Sequence, residues 1–407
     1  MPNNPTMAAA LVGAGESDKI GYVPEKTSLM LHAEAIKNAA ADAGIQIRDI
    51  EAVFSAGGVP GMQSPGLAEY LGIKPKWFDS TTVGGSAFVM YVHHALAAIN
   101  AGIFDIAVIS HGESGYSGGR RMGKGTGGTR GQLDPWAPSS QFEGPFGLAG
   151  APSSYSHAMN RYMHQFGVSK EQFAQIAVVT REWAGLNPKA VMHSKETNPN
   201  GGPITIEDVL NSRVISWPLN LLDVCLVTDH GGAVIVASAA AAKSLRRKPV
   251  WVAGAGEAMS HSSMLAMDDF TRTSASVSSA RAYKMAGLGP NDMEMAMIYD
   301  SFTYTAGVTA EMLGLTKRGE GPTLWAGDNA RPGGKFPVNT NGGGLSFSHS
   351  GMYGMMLLVE AQRQLAGTAE EPGVGLPGRQ TKAKTAVVNG TGGSLSTTGT
   401  IVLKADS

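Results

Sequence analysis

Apolar positions along the chain fall into two alternating patterns. In SLMLHAEAIKNAAADAG, residues Leu29, Ala33, Ile36, Ala40 and Ala43 recur at the spacing that puts them on one face of a helix. Short apolar runs ending at glycine or polar turns, such as FDIAVISHGES from Phe104 and KTAVVNGTGGS from Lys384, predict strands. Twice a glycine pair leads into a long helical run, in VGGSAFVMYVHHALAAINAG from Val83 and in NGGGLSFSHSGMYGMMLLVEAQRQLAG from Asn341. Helices alternating with short strands predict an α/β protein, its parallel or mixed sheets covered by helices. Ligands of such sheets gather beyond the carboxyl ends of the strands, where the glycine turns lie.

The alternation repeats. AADAGIQIRDIEAVFSA from Ala40 lies over AYKMAGLGPNDMEMAMIYDS from Ala282, with Ala43-Gly44 matching Ala286-Gly287 and with Asp49 and Glu51 matching Asp292 and Glu294. LAEYLGI from Leu67 then lies over TAEMLGL from Thr309 at almost the same offset and in the same order. The chain therefore divides into two similar halves, residues 1–245 and 246–407, with a Gly/Pro-rich insertion over about 115–220 inside the first. Its 407 residues suit two domains of about 200 residues better than one core.

Charge narrows the partners. Lys+Arg 32 against Asp+Glu 33 offers no footprint for nucleic acid or an anionic membrane. Basic residues cluster locally in GRRMGKGTGGTRG, Gly119 to Gly131, where Arg120 and Arg121 are candidate contacts for a phosphorylated ligand, a solvated loop being the simpler reading. A single cysteine, Cys225, permits neither an intrachain disulfide nor a cysteine-rich metal site, and suits a reducing cytoplasm. No signal-peptide pattern and no run of 18 apolar residues occurs, so a soluble, cytoplasmic protein without a membrane span is expected.

Three stretches carry a more specific signal: DVCLVTDHGGAVIVAS from Asp223, MIYDSFTYTAGVTAEMLGL from Met297, and NTNGGGLSFSHSGMYG from Asn339. Together with the duplicated halves they resemble the thiolase superfamily, in particular the sterol-carrier or lipid-transfer thiolases of bacteria. The resemblance covers nearly the whole chain. It implies the thiolase fold, two mixed-sheet halves in α/β/α/β/α layers with a loop insertion in the first half.

In that superfamily four loops build the active site. The Gly-Gly…His element falls on Gly343, Gly344 and His349, a histidine that in the family activates the nucleophile or holds the thioester oxygen. The family's Asn/His position falls on Tyr299 in YDSF. The nucleophilic cysteine that opens a helix in the first half falls on Gly85, with Ser86 beside it, and the second cysteine falls on Asn389 in NGTGG. Both cysteines are therefore absent. Cys225, in an apolar, strand-like run, reads as a small buried hydrophobe rather than a substitute. Ser86 is a nucleophile only if His349 stands at hydrogen-bond distance as its base.

A thioester pocket without an acyl-cysteine still suits enolate chemistry. The resemblance extends to thiolase-like aldolases that shorten steroid side chains and carry a tyrosine matching Tyr299, although they usually have a second tyrosine where this chain has His349. The expected reaction is retro-aldol cleavage of a β-hydroxyacyl-CoA, with Tyr299 and His349 dividing acid/base duty and backbone amides near Gly85 and Gly390 holding the enolate oxygen. Tyr304 and Tyr353 are expected to line the pocket, and Asp300 to fix its loop. No bound cofactor or metal is expected, coenzyme A arriving with the substrate. The resemblance also implies a homodimer and a companion subunit with an OB-fold and a zinc ribbon. Two other readings stand beside it: an acyltransferase using Ser86, and a non-catalytic acyl-CoA binder. His93 and His94, adjacent on one helix, point about 100° apart and read as packing residues. His157, His164 and His193 show no metal-ligand spacing.

Overall fold

The computed structural model describes residues 7–58, 61–121, 135–136, 138–148 and 150–406. The first half contributes strands β1 (Ala9–Glu16), β2 (Ala52–Ser55), β3 (Trp77–Asp79) and β4 (Ile106–Ser114) and helices α1 (Ser28–Ala43), α2 (Gln63–Leu71) and α3 (Ala87–Asn100). Helices α4 (Gly115–Arg121), α5 (Pro138–Phe142), α6 (Ala151–Phe166), α7 (Lys170–Gly185) and α8 (Ile206–Asn211) follow, with a small hairpin of β5 (Val214–Ser216) and β6 (Leu219–Asn220). Strand β7 (Asp229–Ser238) and helix α9 (Ala239–Ala242) lead to the second half. That half comprises β8 (Val250–Met259), α10 (Ala275–Ala286), β9 (Met295–Ile298), α11 (Thr303–Met312), α12 (Gly354–Ala366), β10 (Thr385–Gly392) and β11 (Thr397–Ala405).

The internal repeat has a physical explanation at each matched residue. Helices α1 and α10 both end on a glycine in the left-handed region, Gly44 at φ 77° and Gly287 at φ 64°. The one-turn helix that follows is held in each half by an aspartate: Gln46 N–H donates to Asp49 Oδ2 (2.8 Å), and Gly289 N–H to Asp292 Oδ2 (2.7 Å). The matched glutamates tie the next strand to its parallel neighbour. Asp105 N–H donates to Glu51 Oε2 (2.7 Å), and Lys384 N–H to Glu294 Oε2 (2.6 Å). After α2 and α11 the chain turns again at Gly72 and Gly314, at φ 70° and 74°. The repeated residues are thus turn and register devices.

Nine strands form one sheet in the order β3-β2-β4-β7-β1-β8-β11-β10-β9. Strand β2 is parallel to β4, which is antiparallel to β7, itself antiparallel to β1; β9, β10, β11 and β8 repeat those three relations. The halves join where β1 and β8 overlap, at Ala10↔Trp251 and Leu11↔Val250. Helices α3 and α12 pack against strands of both halves, and their apolar faces form one core with them. Helices α1 and α2 cover the outer face of the first half. Helices α10 and α11, with α6 and α7 of the insertion, cover the second. Layers of helix, sheet, helix, sheet and helix result, a mixed α/β architecture.

The insertion is more regular than its glycine and proline content suggests. Helices α6 and α7 bury Tyr162, Phe173, Ile176 and Trp183, and Tyr162 and Phe173 lie against Tyr304 of α11. Arg120 and Arg121 end α4, but their side chains and most of the basic loop lie outside the described residues. Among the described residues no helix is long and apolar enough to cross a membrane.

Candidate active site

The starts of α3 and α12 meet at the centre of the molecule. Gly354 opens α12 so close to the first half that a Cβ on it would stand 1.9 Å from the Gly85 carbonyl oxygen. Tyr299, the residue after β9, lies against the same backbone. Around this junction the structure gathers Tyr299, His349 and Tyr353, all buried.

Tyr353 N–H donates to Tyr299 Oη at 3.1 Å, and Tyr299 Oη stands 3.1 Å from His349 Nε2. The phenol oxygen thus accepts the amide proton of Tyr353 and shares a second hydrogen bond with the His349 imidazole. The His349 ring stacks on Tyr353, and the Tyr299 ring stands edge-on to both. Burial acts oppositely on the two titrating groups. It pushes His349 down to about 4, with the nearby His111 adding to the effect, and raises the Tyr299 phenol well above its ordinary value. At neutral pH the pair is a neutral imidazole hydrogen-bonded to a protonated phenol.

The loop carrying His349 is clamped from two sides. Asp300 Oδ1 accepts from Gly344 N–H at 2.7 Å and its Oδ2 from Leu345 N–H at 3.4 Å. Burial raises the Asp300 carboxyl to about 7. Gly343 sits at φ 62°, and a Cβ there would meet Asp300 Oδ2 at 2.0 Å, so glycine is required. On the other side His349 N–H donates to Thr228 Oγ1, and Thr228 N–H donates back to the His349 carbonyl, both at 3.1 Å. Ser348 Oγ bridges Thr228 Oγ1 (2.9 Å) and His230 Nδ1 (2.8 Å). Tyr353 Oη donates to Asn341 Oδ1 at 2.7 Å.

Sequence reasoning assigned no role to Thr228, His230 or Asn341. The triplet TDH at the start of β7 was the available signal, but its partner lies some 120 residues away in the second half. Glu113, at the end of β4, was also missed. Burial raises its carboxyl to about 7, and it faces Gly351, where a Cβ would stand 2.4 Å from its Oε2.

The other expected site residues divide. Gly343 and Gly344 line the loop, but their amides are engaged, Gly343 N–H with Asn341 Oδ1 (3.0 Å) and Gly344 N–H with Asp300. Gly85 and Gly390 adjoin, a Cβ on Gly390 falling 3.1 Å from the Gly85 oxygen. Ser86 Oγ pairs with Thr397 Oγ1 (2.8 Å) and the Val83 carbonyl (3.1 Å), not with His349, because the start of α3 turns it toward β11. Asn389 Nδ2 donates to Thr400 Oγ1 (2.8 Å) and the Gly399 carbonyl (3.2 Å), within the β10–β11 ladder. Tyr304 belongs to the outer core, where its hydroxyl donates to the Phe270 carbonyl at 2.6 Å.

Cys225 lies in a loop before β7, not in a strand, and is half-buried; its N–H donates to the Ser301 carbonyl at 2.9 Å. Burial, with the charge of Asp300, pushes its thiol up to about 12, far from a thiolate at neutral pH. His93 and His94 both reach Glu257 despite their divergent directions, because the glutamate lies between the rings: Oε2 is 3.6 Å from His93 Nδ1 and 3.2 Å from His94 Nε2. Among the described residues no group of three or more His, Cys, Asp or Glu is arranged to hold a metal ion.

Residues 256–405 match the thiolase C-terminal domain-like family. Over 380 residues the chain is 32% identical to a steroid side-chain-cleaving aldolase of Thermomonospora curvata, covering 90% of this chain and 92% of that protein. It is 31% identical over 380 residues to a 17-hydroxy-3-oxo-4-pregnene-20-carboxyl-CoA lyase of Mycobacterium tuberculosis, covering 90% and 94%. A solved Ltp2-ChsH2(DUF35) aldolase superposes with a TM-score of 0.85 at 29% identity, over 99% of both chains. A duplicated sheet clasping two central helices, with a glycine-rich histidine loop at their junction, is the thiolase architecture. The chain belongs to the thiolase superfamily, alongside its side-chain-cleaving aldolases.

Proposed function

We propose that this protein is a carbon–carbon lyase that cleaves a β-hydroxyacyl-CoA by retro-aldol reaction, the substrate class extending to steroid side chains. The observation that carries this reading is the Tyr299–His349 pair, joined at 3.1 Å, with the Ser86 hydroxyl held by Thr397 and the nearby Cys225 thiol pushed up to about 12. His349, held neutral, accepts the proton of the substrate's β-hydroxyl directly or through Tyr299. The Cα–Cβ bond then breaks, the β-carbon leaves as a ketone or aldehyde, and its electron pair forms the thioester enolate. Backbone amides near Gly85 and Gly390 hold the enolate oxygen. Tyr299, held protonated, returns a proton to the α-carbon, releasing a shorter acyl-CoA, and the proton gained by His349 passes across the 3.1 Å contact to the phenolate, restoring both residues.

No water, thiol or resident cofactor enters this balance, and coenzyme A is carried in by the substrate. The reading extends to a cytoplasmic homodimer with a companion subunit of the OB-fold and zinc-ribbon kind, in line with the two-component name of the superposed aldolase. The test is to supply β-hydroxyacyl-CoA and β-ketoacyl-CoA substrates with and without free CoA, with the companion present, and to follow every product by mass. A shorter acyl-CoA and a free carbonyl compound, with no CoA consumed, is the expected result. Cleavage that requires CoA would instead identify thiolysis, and binding without turnover a non-catalytic protein.

A further inference from the structure

Position 85 is where the two halves and the proposed acid meet. An ideal Cβ on Gly85 would lie 2.1 Å from Tyr299 Cε2, 2.6 Å from Cζ and 2.7 Å from Oη. These atoms are the reacting end of the phenol, so the absent side chain and the phenol occupy the same volume. The Gly85 peptide cannot yield to make room. A Cβ on Gly354 would stand 1.9 Å from its oxygen, and one on Gly390 3.1 Å from the same oxygen and 3.0 Å from Ser86 Cα. Two glycines from distant segments, Gly354 and Gly390, thus close on the Gly85 peptide. The phenol cannot withdraw either, because its oxygen is fixed by Tyr353 N–H and by His349 Nε2. Ser86, the next residue, is turned away toward Thr397. Residues 85 and 86 therefore present no side chain to the phenol, whose ring overlaps the volume that a residue-85 Cβ would take.

We infer that Gly85 is the positioning residue that sets Tyr299 at His349, and that any side chain at position 85 and the Tyr299 phenol exclude one another. The inference rests on the catalytic reading for its effect on rate, but its steric part stands apart from it. A stability cycle tests the steric part in the purified chain. Gly85→Ala is expected to lower Tm by roughly 2–5 °C in the native background and by about 0–1 °C when Tyr299 is already alanine. Equal losses in both backgrounds, or no loss in either, would overturn it.

A kinetic cycle tests the positioning. Gly85→Ala and Tyr299→Phe are each expected to lower kcat about 100-fold with KM little changed, and the double variant to fall no more than about threefold below either. Multiplying losses would mean that Gly85 acts independently of the phenol and would sink the positioning claim. Full activity in Tyr299→Phe alone would refute the catalytic reading, while the stability cycle still decided the contact.

Discussion

The starts of α3 and α12 occupy matching places in the two halves, and they have been made chemically opposite. Before α3 the chain runs Val83-Gly84-Gly85-Ser86, and the one polar side chain points away from the junction. Before α12 a longer loop carries His349 and Tyr353 to the junction and holds them by hydrogen bonds to Thr228, Asp300 and Asn341. A duplicated scaffold brings two helix starts face to face, one bare at residue 85 and the other filled. The difference teaches that the bare side shapes the junction too: its lack of atoms is the space that the Tyr299 ring fills.

The sharpest way to break this contrast is to strip the filled side. His349→Ala and Tyr299→Phe are each expected to lower kcat/KM for cleavage by about 10²–10⁴-fold, the range of a positioned acid or base, with the fold retained by circular dichroism. Unchanged cleavage in both would end the claim that this side carries the chemistry. His349 should add no acid limb to the wild-type rate above pH 6, since it is depressed to about 4; a limb near 7 that Asp300→Asn or Glu113→Gln removes belongs to those carboxyls, and one near 6.5 that survives both would assign the imidazole the wrong environment.

A smaller effect is expected on the bare side's helix. His94 lies between Asp79 Oδ2 (2.6 Å) and Glu257 Oε2 (3.2 Å), first-half and second-half carboxylates, and these hydrogen bonds raise it to about 9. A histidine raised on folding stabilises fully below its unfolded value near 6.5 and loses that contribution as pH climbs through about 9. Partial exposure limits the effect to about 1 kcal/mol. His94→Asn should therefore flatten the fall in Tm between pH 6.5 and 9, and an unaltered slope would show that the clasp is not charged. The smallest effect should be that of Cys225→Ser. With its thiol pushed up to about 12, activity should stay within about threefold and no acyl-enzyme should form. A trapped acyl adduct on Cys225 would overturn the division of labour between the two helix starts.

Local chemistry was legible in the sequence wherever a residue acts on its neighbours. Gly44 and Gly287 end helices, Asp49 and Asp292 close the next turns, and the spacing of those devices exposed the duplication before any contact was known. The glycine-rich histidine loop and YDSF carried the resemblance to the superfamily, and with it the candidacy of Tyr299 and His349. The same logic misplaced Tyr304, because an aromatic in the first turn of α11 has no local mark of whether it faces the junction or the helices of the insertion. It also credited Ser86 and Asn389 with access they lack, since the rotation of a helix start or a strand is set by what packs behind it.

The sequence by itself therefore determined the alternation of elements and the repeat, both encoded in short-range periodicity and turn chemistry, while the resemblance to the superfamily supplied Tyr299 and His349 as candidates. Only the tertiary structure decided that Tyr299 lies in the space left by Gly85, that Thr228 anchors His349 and that Asp300 takes up the loop amides. Those relations join residues far apart in the chain, and close packing, which no local pattern records, settles which of them share a volume.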